Sequence, residues 1–143
     1  LIEYLRSFIK GLQRNVGVIE ESLCMQKEEM KNQVLKLLKN LDSMDIASII
    51  DTIKEFSTHK NDINDYLDLM LLWYRDVLMF KVTKDANLLL YSDEYSAISE
   101  QATKRDYENI ENIIAAIDKA KVRLKANVNF DVTIELMILA MKD

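Results

Sequence analysis

The sequence predicts an all-α fold, and three observations carry that expectation. The first is punctuation: the 143 residues include no proline and only two glycines, Gly11 and Gly17, so neither breaker occurs from Val18 to Asp143. A sheet protein needs tight turns with positive φ at short intervals, and glycine usually supplies them. The second is periodicity, because apolar residues recur three and four apart over long segments instead of alternating. The third is balance. With 49% hydrophobic and 30% charged residues and a formal net charge of −5, the chain reads as one soluble globular domain and not as a disordered segment.

Each element follows from its own pattern. Leu1, Tyr4, Leu5, Phe8, Ile9 and Leu12 stand at helical spacing and end at the Arg14-Asn15-Val16-Gly17 turn. This reads as the last helix of a preceding unit, so residues 1–17 are expected to close one domain and residues 18–143 to form another. A helix is expected from about Val18 to Leu41, its inner face Leu23, Met30, Val34, Leu37, Leu38 and Leu41. Asp42 and Ser43 break it and offer N-caps for the next. That next helix carries Ile46, Ile49, Ile50, Ile53 and Phe56 and ends near Ser57.

Asn61 or Asp62 is expected to cap a third long helix, with Ile63, Leu67, Met70, Tyr74, Val77 and Lys81 along its stripe. Leu69, Leu71, Leu72, Trp73, Leu78, Met79 and Phe80 make its middle apolar on nearly every side. A helix apolar all round packs on more than one face, which makes this the central helix. Asp85-Ala86-Asn87 reads as a break, and Leu88 to Tyr91 as a last turn or an extended piece. Ser92 or Asp93 is expected to cap a short helix through Thr103. A longer helix follows from about Lys104 to Ala126, with Tyr107, Ile110, Ile113, Ile117, Ala120 and Leu124 on one face. After the Asn127-Val128-Asn129 turn, the last helix runs from Phe130 to Lys142 and is again apolar on most sides. The central and last helices hold more apolar surface than one face requires, so part of it is expected to meet another subunit. No solenoid-length repeat aligns.

Several function classes find no support in the residues. Cys24 is the single cysteine; it excludes an internal disulfide and reads as a buried, inert thiol. The most apolar run, Leu69 to Tyr74, falls far short of the roughly 20 residues that span a bilayer. No signal peptide is recognisable. The chain opens on Leu1 and is therefore expected to be part of something longer; cytoplasmic is the default expectation. His59 is the lone histidine, expected to be exposed, and it cannot supply the paired Glu-x-x-His of a di-iron bundle. Asp62, Asp65 and Asp68 suit a helix start. Gly11 and Gly17 fail the phosphate-loop spacing, and Val18-Ile19 replace its Lys and Ser/Thr. No catalytic triad assembles, so no enzyme and no cofactor is expected. The sequence pI near 5.0 argues against a duplex grip. Lys119, Lys121, Arg123 and Lys125 sit toward a helix end, where cations complement the dipole. Arg6, Lys10 and Arg14 make a smaller basic line in the opening segment.

The run Leu71-Leu72-Trp73-Tyr74-Arg75-Asp76-Val77-Leu78-Met79-Phe80-Lys81 carries a resemblance. It is followed by Ala120, Leu124, Asn127-Val128-Asn129 and Glu135-Leu136-Met137. In this order and separation the residues resemble the C-terminal domain of bacterial DNA polymerase III delta-prime subunits, components of the sliding-clamp loader. The Asn15-Val16-Gly17 turn is similar to the point where that family's AAA+ lid ends, although Val18-Ile19 depart from the small residue common there. The resemblance implies an irregular bundle of about five to six helices of clamp-loader collar type. It implies a non-catalytic oligomerisation domain that holds its subunit in a five-membered ring. Implied partners are the gamma/tau-type and delta-type subunits, with DNA met only through the complex.

Trp73 is expected to be a core or interface anchor, with core favoured. Tyr74 is expected to bury its ring while its hydroxyl finds a partner. Arg75 and Asp76 are expected on different faces, unpaired with each other and each orienting a neighbouring helix. Asn127 is expected to end its helix in the left-handed region and Asn129 to cap the last helix. Leu136 and Leu139 are further anchor candidates. A reading from another class remains: a stand-alone adaptor with a peptide groove beside the Trp73 helix.

Overall fold

Every residue from Leu69 to Phe80 is buried, and the fold is organised around the helix that contains them. The computed structural model describes residues 28–142. Expectations for Leu1 to Leu12, the Gly17 boundary, Leu23 and Cys24 lie outside that range. Six α-helices occur among the described residues: α1 Glu28–Asn40, α2 Ile46–Ser57, α3 Ile63–Thr83, α4 Tyr95–Lys104, α5 Tyr107–Lys125 and α6 Phe130–Lys142. Short 3-10 turns precede α2, α3 and α4, and no strand occurs among the described residues. The all-α bundle expected from punctuation and periodicity is the fold observed.

Helix α3 packs against α1, α4 and α5, while α6 packs against α5 and α2. The apolar surplus of α3 from Leu69 to Phe80 is therefore consumed inside the chain by three neighbours, and among its described apolar residues Val82, near its end, stays exposed. Trp73, Tyr66, Tyr74 and Phe56 are the largest fully buried side chains, with Leu38, Leu67, Met70, Leu72 and Ile110 around them. Each fully buried aliphatic side chain of this size contributes about 1.5–3 kcal/mol relative to exposure.

Helix ends are set by local chemistry, sometimes at other residues than the pattern suggests. Asp45 caps α2 by accepting from the Ser48 N–H at 2.8 Å. Asp42 and Ser43 instead lie in the 3-10 turn Leu41–Ser43. Neither Asn61 nor Asp62 caps α3 through its side chain, because a 3-10 turn over Lys60–Asp62 leads straight into the helix. Another such turn, Ser92–Glu94, delays α4 to Tyr95, and neither Ser92 nor Asp93 caps it. Helix α5 starts at Tyr107 and not near Lys104, because Arg105 is extended and Asp106 caps it through the Asn109 N–H at 2.7 Å.

The α5–α6 turn follows the sequence expectation. Asn127 adopts φ 61°; its N–H donates to Leu124 O at 3.1 Å, and the Val128 N–H to Arg123 O at 3.0 Å. These are the paired bonds that satisfy the last carbonyls of a helix when the next residue turns left-handed. Asn129 then accepts the Val132 N–H at 3.0 Å and caps α6. Lys84 ends α3 in the same left-handed region, at φ 58°.

Candidate functional site

The residues singled out on α3 form an internal brace. Trp73 is completely buried. Its Nε1–H donates to Gln101 Oε1 at 3.3 Å, and Gln101 Nε2 donates to Leu38 O at 3.2 Å. One amide thus links the indole of α3 to a carbonyl near the end of α1, where intrahelical donors run out. The Tyr91 ring meets Trp73 edge-on at 5.6 Å, and the Tyr91 hydroxyl donates to Leu69 O at 2.9 Å. Trp73 is therefore core, as favoured. An open groove of about 340 Å³ lies between α1 and α2, its walls including Gln33, Lys36, Asn40, Asp51 and Glu55.

Arg75 and Asp76 overturn the expectation that they stay apart. Arg75 Nη1 donates to Asp76 Oδ1 at 2.8 Å, and both side chains are buried. Adjacent residues on a helix do not normally face each other. Here the segment after α3 folds back over both: Leu88 O accepts from Arg75 Nη1 at 2.9 Å. Asp76 accepts the Leu90 N–H at 3.1 Å and the Tyr91 N–H at 2.8 Å. The pair fastens residues 88–91 as a strap across α3; Leu88 closes a 3-10 turn over Ala86–Leu88 and the chain is extended at Leu89, so the piece is part turn and part extended. Burial pushes the Asp76 carboxyl up, against the pull of the Tyr91 and Leu90 amides and of Arg75. Two amide donors and one cation are the satisfaction that a buried carboxylate requires.

Tyr74 departs from expectation in one respect. Its ring is buried, but its hydroxyl has no hydrogen-bond partner among the described residues. Burial pushes the phenol up, opposed by the positive charge of Arg105.

Arg105 and Gln101 are structural residues that sequence reasoning did not single out, and Asp42, expected only as a helix breaker and cap, joins them. Arg105 is buried, bonds Asn109 Oδ1 at 2.7 Å and pairs with Asp42 at 3.2 Å, and Asp42 also pairs with Lys104. Burial raises the Asp42 carboxyl, but Lys104 and Arg105 outweigh it and hold the group below the ordinary value. Lys81 closes another helix end by donating to Ala102 O at 2.9 Å. The basic run at the end of α5 is partly committed too, since Lys121 pairs with Asp68. His59 is half-buried, not exposed, with its ring 5.6 Å from that of Tyr66. Among the described residues, no three His, Cys, Asp or Glu side chains gather as a metal set.

What faces outward is different in kind. On α6, Ile134, Met137, Ile138 and Met141 enter the core, while Val132, Leu136 and Leu139 remain 48%, 45% and 45% exposed. Their spacing, four and then three, stands them in one row, and the exposed Val128 precedes them in the turn. On α2, Ile46 and Ile50 are also exposed, so its regular pattern buries only Ile49 and Phe56 completely. Of the anchor candidates, Trp73, Tyr74, Arg75 and Asp76 brace the interior and Asn127 and Asn129 shape the turn. Leu136 and Leu139 alone offer apolar surface to solvent. No described helix is long and apolar enough to cross a membrane.

Fold and surface together define a class: a helical domain with a polar-braced central helix and an outward apolar row on its last helix. The comparisons with known proteins place it more narrowly. Over 144 aligned residues the chain is 34% identical to the DNA polymerase III subunit delta' of Bacillus subtilis (strain 168). The alignment covers 98% of this chain but 44% of that protein, in its C-terminal part, so the chain spans less than half of that relative. The likeness to the C-terminal part of a delta' subunit, read from the Trp73-Tyr74-Arg75-Asp76 helix and the Asn127-Val128-Asn129 turn, is thereby shown. No known family's sequence profile matches the chain, and no solved structure matches it.

Proposed function

We propose that this chain is the collar domain of a sliding-clamp-loader subunit in bacterial DNA replication. It holds its subunit in the loader ring by association and performs no chemistry itself. The observation that carries this reading is the identity with the delta' subunit along 98% of the chain. The structure supports it in two ways: Trp73 Nε1–H, Arg75 Nη1 and the Asp76 carboxylate of α3 are spent on internal bracing, and the exposed apolar row on α6 suits association. Its partners are the gamma/tau-type and delta-type loader subunits. DNA is met through the complex, in keeping with the acidic pI near 5.0, and the setting is cytoplasmic. Native mass spectrometry of the natural full-length protein mixed with those subunits tests the reading. A stoichiometric hetero-complex that excludes unrelated helical proteins is expected. A protein that stays alone at tens of micromolar with full-length partners would overturn it.

A further inference from the structure

The outer surface of α6 is unusual in how its charges are distributed. Val132, Leu136 and Leu139 are roughly half exposed, which for large aliphatic side chains in one row is the form of a helix-docking stripe and not of scattered surface residues. Beside it runs a second row. Asp131 and Glu135 are exposed, four residues apart, and Glu135 lies one turn before Leu139 on the same side. Neither carboxylate is paired with any described residue. Lys142, the basic residue of α6, is occupied by the Met44 carbonyl. The outward face is thus an apolar stripe with one acidic edge and no free cation of its own.

From this we infer that α6 docks an amphipathic helix of another loader subunit, one with apolar residues at i, i+3 or i+4, and i+7. That helix carries Lys or Arg along the edge that meets Asp131 and Glu135. The inference rests on the proposed function and adds to it the surface and the chemistry of the partner. Charge decides against a second copy of this chain. An antiparallel two-fold pairing of α6 with itself sets the two acidic rows against each other, and each chain already carries a net charge of −5. A basic-edged helix instead satisfies both rows at once. The apolar stripe provides the affinity, and the acidic edge fixes orientation and speeds encounter.

The test places a photo-crosslinking amino acid at Leu136 in the full-length protein assembled with the other loader subunits. A control carries the same group at Lys119, which is exposed on α5. A product joining Leu136, but not Lys119, to a helix of another subunit is expected. A product with a second copy, or with another part of the same chain, overturns the proposal, as does an assembled complex with no product from Leu136. Failure of the complex to assemble in any form overturns the collar reading and this inference with it, so the two failures are distinguishable. Two variants complete the experiment. Leu136→Asp is expected to weaken assembly about tenfold or more while circular dichroism and thermal midpoint stay unchanged, because the side chain is already half in water. Glu135→Lys is expected to slow association and flatten its salt dependence. Assembly of both variants like the wild type, with folds intact, excludes this face.

Discussion

Asp76→Ala is the substitution with the most to say about how this domain holds together. The carboxylate takes Arg75 Nη1 at 2.8 Å, the Leu90 N–H at 3.1 Å and the Tyr91 N–H at 2.8 Å, from a completely buried position. Alanine leaves a buried guanidinium without its counter-charge, for which about 3–5 kcal/mol is usual. It also orphans two amides, at roughly 1–3 kcal/mol each. These do not add, because the strap over residues 88–91 can lift and let water reach its own N–H groups. The expected loss is therefore about 3–5 kcal/mol in urea or guanidinium unfolding. Hydrogen exchange at Leu90 and Tyr91 should accelerate well beyond that of the α3 core. Asp76→Asn keeps one acceptor oxygen and should cost less. The carboxyl is raised from 3.8 by burial, so the folded chain holds that proton more tightly than the unfolded one. Its contribution to stability is present below about 3.8 and fades as pH rises through the raised folded value. The stability gap between the wild type and Asp76→Asn should accordingly be widest in acid and narrow with rising pH. A loss under about 1 kcal/mol for Asp76→Ala, with unchanged exchange at Leu90 and Tyr91, would refute the brace.

Three further substitutions probe separate parts of the account. Tyr74→Phe removes a buried hydroxyl that has no partner among the described residues, so it should leave stability unchanged or raise it by up to about 1–3 kcal/mol; a clear drop in thermal midpoint would show that the hydroxyl is satisfied. Trp73→Ala should cost about 3–5 kcal/mol in chemical unfolding and release Gln101 from its link to Leu38; a much smaller loss with weakened subunit binding would make Trp73 an interface residue. Lys84→Gly relieves a left-handed non-glycine residue at φ 58° and should stabilise by up to about 1 kcal/mol, which a shift in urea midpoint without a change in slope would register.

Much of the fold was legible because local chemistry and burial agree. The even apolar character of Leu69 to Phe80 marks a helix packed on several sides, and α3 is that helix. Asn127 and Asn129 were readable as an end and a start because their short polar side chains suit those backbone positions. Boundaries were less readable where a 3-10 turn intervenes: those before α2, α3 and α4 have no periodicity of their own, and each separates the apparent cap from the helix. The Arg75–Asp76 pair was illegible for a different reason. Helical spacing alone separates neighbours, and only the return of residues 88–91 turns both side chains to a common task. Gln101 and Arg105 carried faint signals, a glutamine beside Ile98 and Ala102 and an arginine just before a capped helix. Their partners are tens of residues away in sequence. The outward row of α6 was half legible: excess apolar surface was evident on both α3 and α6, but only the packing shows that Leu69 to Phe80 of α3 are spent within the chain.

In the proposed reading, association runs through the outside of α6, while Leu69 to Phe80 of α3 stay internal. A cryo-electron microscopy reconstruction of the full-length protein within the proposed clamp-loader assembly is the decisive measurement. It should show a helix of a neighbouring subunit seated on Val132, Leu136 and Leu139, with a basic side chain opposite Asp131 or Glu135 and the strap over α3 closed. A neighbour bound elsewhere, with that row open to solvent, would contradict it.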